Sequence, residues 1–168
     1  MLDRLDRKLL QVLSANGRAS HHELGEAIGL SSTAVGRRLR ALEDEGLIAG
    51  YVARLDRRKL GFGATVIVRI VLAEQSEIAL NEFETAVCAS PAIESCHLLA
   101  GSDDYLLVIP TAGLDDYDQL HRKILSRLPR VARIESSFSI RCVVEQRLAP
   151  RCLAMPTPTV PAPASSRT

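Results

Sequence analysis

The sequence predicts an α+β fold in two parts, an N-terminal winged helix-turn-helix followed by a ferredoxin-like βαββαβ domain. Three observations point there. Apolar residues recur at helical spacing between Leu5 and Leu42 and are interrupted by glycine turns. From Ala64 onward, β-branched runs of strand length alternate with helix-length amphipathic segments. The charge also divides: residues 1–60 hold 11 Lys/Arg against 8 Asp/Glu (+3), and residues 61–150 hold 8 against 12 (−4). A basic first part joined to an acidic second suggests different partners, the first a polyanion.

At 168 residues the chain suits one ordinary domain or two small ones, which excludes a large multidomain enzyme. No apolar run approaches the ~18 residues of a membrane span, and the start of the chain is charged, so a cytoplasmic protein is expected. Cys88, Cys96, Cys142 and Cys152 form no C-x-x-C pair and read as buried thiols. No metal, cofactor or catalytic site is expected. The predicted boundaries are 1–50 for the helix-turn-helix, 51–62 for a linker strand, 63–148 for the ferredoxin-like domain and 149–168 for a disordered Pro-rich tail.

Leu5, Leu9, Val12 and Leu13 draw the stripe of a first helix from about residue 3 to Asn16-Gly17, with Gly17 as a left-handed cap. Ser20-His21-His22-Glu23 has the form of a capping box opening a second helix, with Leu24, Ala27 and Ile28 inward. Gly29-Leu30-Ser31 makes the turn, and Ser31 caps a third helix that buries Val35, Leu39 and Leu42. This helix stops at Gly46, with Leu47 set against Leu42. Residues 47–56 alternate as a strand, which makes the module winged.

The buried stripe leaves Ser32, Thr33, Gly36, Arg37 and Arg40 on the outer side, with Arg38 at the edge. A guanidinium is a fixed charge with a fork of donors, as phosphate contact and guanine reading both require. This face, with Ser31 at its head, is therefore the candidate for double-stranded DNA. Arg57-Arg58-Lys59 suits either the DNA backbone or solvent.

In the second part, Ala64–Leu72 reads as a strand, and a helix follows with Ile78, Phe83, Ala86 and Val87 on one side. Residues 93–99 and 105–109 form a hairpin, Leu114 to Leu128 a helix ended by Pro129, and residues 134–144 a long strand burying Ile134, Phe138, Ile140, Cys142 and Val144. One antiparallel sheet backed by two helices leaves an open face, so dimerisation is expected.

Gly29-Leu30-Ser31, Arg38, Leu42-Glu43, Gly46-Leu47-Ile48 and Gly50-Tyr51, followed by Glu94-Ser95-Cys96-His97 and Gly101-Ser102-Asp103-Asp104-Tyr105, resemble the Lrp/AsnC family of feast/famine regulators over about residues 3–145. The resemblance implies a dimer built through the second domain, assembly to tetramers or octamers, and an amino acid or related metabolite as effector. It implies effector contacts at Gly101, Ser102, Asp103, Asp104 and Tyr105, with Ser136 as a second hydroxyl-bearing position. Asp103 or Asp104 would accept from the α-ammonium, with Asp104 favoured as the structural one of the two, and Tyr105 would wall the pocket. The chain departs from the family at Arg130 and Ile134, where Gly and Thr are frequent, and at Gly36, since glycine disfavours a helix interior by ~1 kcal/mol. Two alternatives remain open. One is an enzyme like the siroheme decarboxylases, in which a His in this strand is followed by Asn-Tyr where His97 is followed by Leu98-Leu99. The other is an architectural DNA-wrapping protein without effector.

Overall fold

The structure, a computed structural model, describes residues 2–144 and 151–154, with backbone only at Arg151 and Ala154. Residues 155–164, the proline-rich part of the expected tail, lie outside the described residues. The chain divides into two compact units, one reaching Arg54 and including the segment from Val144, the other Leu55–Val143.

The first unit contains α1 (Arg4–Ala15), α2 (His21–Ile28) and α3 (Ser32–Asp44). Asp3 and Asp6 close a capping box on α1: the Asp6 N–H donates to Asp3 Oδ1 at 2.7 Å and the Asp3 N–H to Asp6 Oδ2 at 3.0 Å. The helix ends on an extended Asn16, not on a left-handed Gly17, and the Asn16 side chain accepts from the Arg18 N–H at 3.1 Å. The Ser20–Glu23 box and the Ser31 cap form as expected. Leu9, Leu13, Leu24, Ile28, Val35, Leu39 and Leu42 make the core.

Ala27 is exposed, and Gly25 is the buried residue of α2 instead. A β-carbon on Gly25 would stand 2.4 Å from the Leu30 carbonyl oxygen, so only glycine lets the chain turn back this tightly. That oxygen belongs to the turn leading into α3; Gly29, at φ +78°, completes it. A Schellman ending closes α3, with Leu47 N–H on Leu42 O and Gly46 N–H on Glu43 O, both at 2.9 Å. Ile48, not the largely exposed Leu47, packs on the core. Residues 47–56 form no strand, a correction to the winged reading: an alternating segment needs a neighbouring strand, and among the described residues these have none.

A four-helix-residue segment, α6 (Arg151–Ala154), rests on α1, where Arg7 donates to the Leu153 carbonyl at 2.8 Å. These four residues are helical where tail disorder was expected.

The second unit contains β1 (Ala64–Leu72), α4 (Glu77–Cys88), β2 (Ser95–Leu98), β3 (Tyr105–Thr111), α5 (Leu114–Lys123) and β4 (Val131–Ser139), with a 3-10 turn at Leu125–Arg127. The strands run antiparallel in the order β2-β3-β1-β4, the ferredoxin-like arrangement. Val66, Val68, Ile70 and Leu72 of β1 and Tyr105, Leu107 and Ile109 of β3 pack under Phe83 and Val87 of α4 and Tyr117 of α5. On α4, Ala79 turns inward and Ile78 outward.

The last strand begins and ends earlier than its alternation suggests. It stops at Ser139, opposite Thr65, because β1 supplies no partner beyond Ala64. Ile140 is 99% exposed, and Val143 and Val144 are exposed with it. Cys88, Cys142 and Cys152 are also exposed and Cys96 is half-buried, so the reading of all four as buried thiols is corrected.

Asp104 ties the hairpin to the end of β1. Its side chain, 7% exposed, accepts from the Leu72 N–H at 2.7 Å and Gln75 Nε2 at 2.6 Å, while its own N–H donates to Ile70 O at 2.9 Å. Two predictions follow from these contacts. Gly25→Ala gains helix propensity but drives a β-carbon into backbone, so chemical denaturation of this variant should show a net loss of about 1–3 kcal/mol. Asp104→Ala strands a buried N–H and should cost the second unit about 1–3 kcal/mol, with less loss in Asp104→Asn, which keeps one acceptor.

Candidate nucleic-acid interface and effector site

The outer side of α3 is built by its inner side. Val35, Leu39 and Leu42 fix the rotation of the helix, so Ser32, Thr33, Arg37 and Arg40 emerge exposed and Gly36 half-exposed among them. Ser31 is engaged as the cap: its Oγ accepts from the Ala34 N–H at 3.3 Å.

The three arginines have different surroundings. Arg38 donates to Asp3 Oδ2 and to Asp6 Oδ1, both at 2.6 Å, and its side chain is 27% exposed. Those hydrogen bonds hold the Arg38 guanidinium above its ordinary pKa, and the Asp6 N–H and Arg38 hold the Asp3 carboxyl below its own. Arg38, read at the edge of the DNA-facing side and among its candidate contacts, therefore joins α3 to the cap of α1. Arg37 and Arg40 have no hydrogen-bond or ion-pair partner among the described residues. The spacing of α3 set Arg38 at the edge of this face but did not show what holds it there; that signal lay in the acids of the α1 cap. Arg57 is paired with Glu94, and the Asp56 side chain accepts from the Lys59 N–H at 3.2 Å, leaving Arg58 and Lys59 exposed.

The turn Gly101–Tyr105 divides into an outer and an inner part. Gly101 and Ser102 are exposed. Asp103, 18% exposed at its side chain, lies 3.3 Å from Arg133 and 3.9 Å from Arg69, guanidiniums that reach it from β4 and β1. Asp104 is the structural acid of the pair, but it bonds the β1 end and Gln75, not the N–H groups of its own turn. Tyr105 is only 1% exposed. Its ring stacks on Phe83 with centroids 4.5 Å apart, and its hydroxyl donates to Glu84 at 2.7 Å. Burial first, and that bond second, push the phenol well above its ordinary pKa. Tyr105 is thus a core residue, not a pocket wall.

Ser136 does not join this turn within one chain. It lies opposite Val68 in mid-strand and shares a short hydrogen bond with the Tyr117 hydroxyl, whereas the turn meets β1 at Ile70 and Leu72. Tyr117, which the sequence reading did not single out, also meets the edge of Phe138 at 5.3 Å. His97 lies on β2 opposite Leu106. Among the described residues no three His, Cys, Asp or Glu side chains are placed to hold a metal, and no helix is long and apolar enough to cross a membrane.

Comparison with known proteins agrees with both units. Residues 2–43 match the AsnC-type helix-turn-helix domain and residues 65–149 the Lrp/AsnC ligand binding domain. The chain is 38% identical to the proline dehydrogenase transcriptional activator of Rhodobacter capsulatus, over 87% of this chain and 95% of that protein. It is 36% identical to the Bkd operon transcriptional regulator of Pseudomonas aeruginosa, over 89% and 97%. A solved transcriptional regulator of Neisseria meningitidis in complex with L-methionine superposes with a TM-score of 0.83 at 31% identity, covering 88% of this chain and 95% of that one. An AsnC family regulator from Agrobacterium tumefaciens gives 0.85 at 28% identity, over 92% and 100%. With both domains matched in order and the relatives covered almost end to end, the chain belongs to the Lrp/AsnC family of transcriptional regulators.

Proposed function

We propose that this regulator reads duplex DNA with the free face of α3 and responds to an amino acid, or a closely related metabolite, held by its second unit. The observation that carries the DNA reading is the pair of exposed guanidiniums of Arg37 and Arg40, without a partner among the described residues, on a helix presented by a glycine turn. Ser32 and Thr33 stand on the same face one turn earlier, where hydroxyls serve phosphate or base edges. Arg38 supports the face from behind. The relatives are named as regulators, which favours this reading over a decarboxylase with His97.

For the effector, the L-methionine complex of the neisserial relative supports an α-amino acid. Within the turn, Gly101, Ser102 and Asp103 face outward and are the contact residues, and Asp104 and Tyr105 hold them in place. The Asp103 side chain offers oxygens that accept from an α-ammonium, and the arginines beside it suit an α-carboxylate. Ser136 reaches a ligand only where a second copy of the chain brings its β4 near the turn. The sheet face opposite α4 and α5 carries half-buried Ile67, Leu106 and Val108, which supports pairing of two chains across it and larger assemblies from such dimers. A specific regulator, unlike a DNA-wrapping protein, holds its site against competitor DNA.

A duplex enriched by the full chain from a random-sequence library provides the test. Arg37→Ala or Arg40→Ala should weaken binding to it by about 1–3 kcal/mol where the residue reads a base, or lower the salt slope by about one where it meets phosphate. Unchanged affinity and slope in both variants would sink the assignment. Thermal-shift screening of the twenty amino acids should reveal the effector as the one that raises the melting temperature. Asp103→Ala should then abolish that shift while DNA binding by the ligand-free protein stays intact; a shift equal to the parent's moves the effector site elsewhere.

A further inference from the structure

The free face of α3 has a glycine at its centre, one turn from Ser32 and Arg40 and beside Arg37. Helix propensity argues against glycine there, and its backbone is ordinary helix that any residue adopts. What Gly36 provides is room. A β-carbon at this position would stand 3.2 Å from Cε1 and 3.3 Å from Nδ1 of His21, inside the ordinary separation of non-bonded atoms. The imidazole of the first residue of α2 therefore lies directly on α3, at the level of the arginines.

His21 is exposed and has no hydrogen-bond or ion-pair partner among the described residues. Together with Arg18 and Tyr51 it borders a hollow of this unit. Its neighbour His22 is engaged elsewhere, with Nε2 3.7 Å from Glu26. In a helix-turn-helix the first helix crosses the sugar-phosphate backbone while the second enters the groove. Here α2 is the first, so a ring on its opening turn is placed for backbone and not for bases. An imidazole has an N–H to donate in either protonation state.

We propose that His21 contacts DNA, donating a ring N–H to a backbone phosphate of the duplex read by α3, and that position 36 is glycine so that the ring can sit there. This rests on the DNA-binding reading given above. It turns an apparent defect of the recognition helix into the seat of a second contact element.

The test uses the full chain and the duplex it enriches from a random library, with affinity and phosphate-ethylation interference as readouts. His21→Ala should bind about tenfold more weakly, and ethylation of one phosphate per half-site should cease to matter. Gly36→Ala should lose a similar factor while melting no lower than the parent, since alanine favours the helix. The double variant should bind no more weakly than either single one, because both remove the same contact. His22→Ala should leave the interference pattern unchanged. His21→Ala with parental affinity and pattern overturns the proposal, as does His22→Ala erasing the same phosphate. Losses that multiply in the double variant overturn the seating role of Gly36. If Arg37→Ala and Arg40→Ala also bind like the parent, the whole face is wrong; if they weaken binding and His21→Ala does not, only this inference fails.

Discussion

A carbonyl oxygen occupying the space where a β-carbon would otherwise stand governs the geometry of the DNA-binding unit. The Leu30 oxygen comes within 2.4 Å of that point at Gly25, and the N–H groups of Gly29 and Leu30 both return to the Gly25 carbonyl at 2.8 and 2.9 Å. The turn is thus closed by backbone alone, without a side chain whose rotamers blur the angle. Because α3 leaves this turn with its rotation set by Val35, Leu39 and Leu42, every outward residue inherits its direction from the contact. In the second unit Asp104 has the comparable part, a short carboxylate satisfying the last N–H of β1 and holding the hairpin turn against it.

Electrostatics then divides what the helix presents. Of three arginines in four positions, spacing sets Arg38 only at the edge of the face, and what engages it is two acids over thirty residues away in sequence. Asp3 and Asp6 cap α1 and grip Arg38 with the oxygens that capping leaves accessible, so one cluster serves both the helix end and the packing of α3 on α1. The two remaining guanidiniums keep their donors for a partner.

Local rules and topology were legible because they depend on neighbours in sequence. The Ser20 box, the Ser31 cap, the left-handed Gly29 and each step of the buried stripe of α3 involve residues no more than four positions apart. The βαββαβ order carried the sheet with it. What escaped depends on partners that spacing does not encode. Residues 47–56 have a strand pattern and, among the described residues, no strand to pair with, and β4 stops where β1 runs out, not where its own alternation does. Resemblance alone made Tyr105 a pocket wall, yet the period-two rule of β3 already places it beside Leu107 and Ile109, on the covered face. Gly25 left no mark beyond its identity, since the residue it accommodates is a backbone oxygen five positions on.

Arg130 shows how an unfavourable backbone is retained. It has φ +62°, a conformation that costs a residue with a β-carbon of order 1 kcal/mol and glycine nothing. Its carbonyl accepts from the Ala73 N–H at 2.7 Å, and its side chain reaches Glu82 at 2.8 Å and Glu74 at 3.4 Å. These exposed ion pairs therefore offset a conformational cost and add little net stability. Since mobile ions screen such pairs and leave backbone strain untouched, the entry into β4 loosens as ionic strength rises.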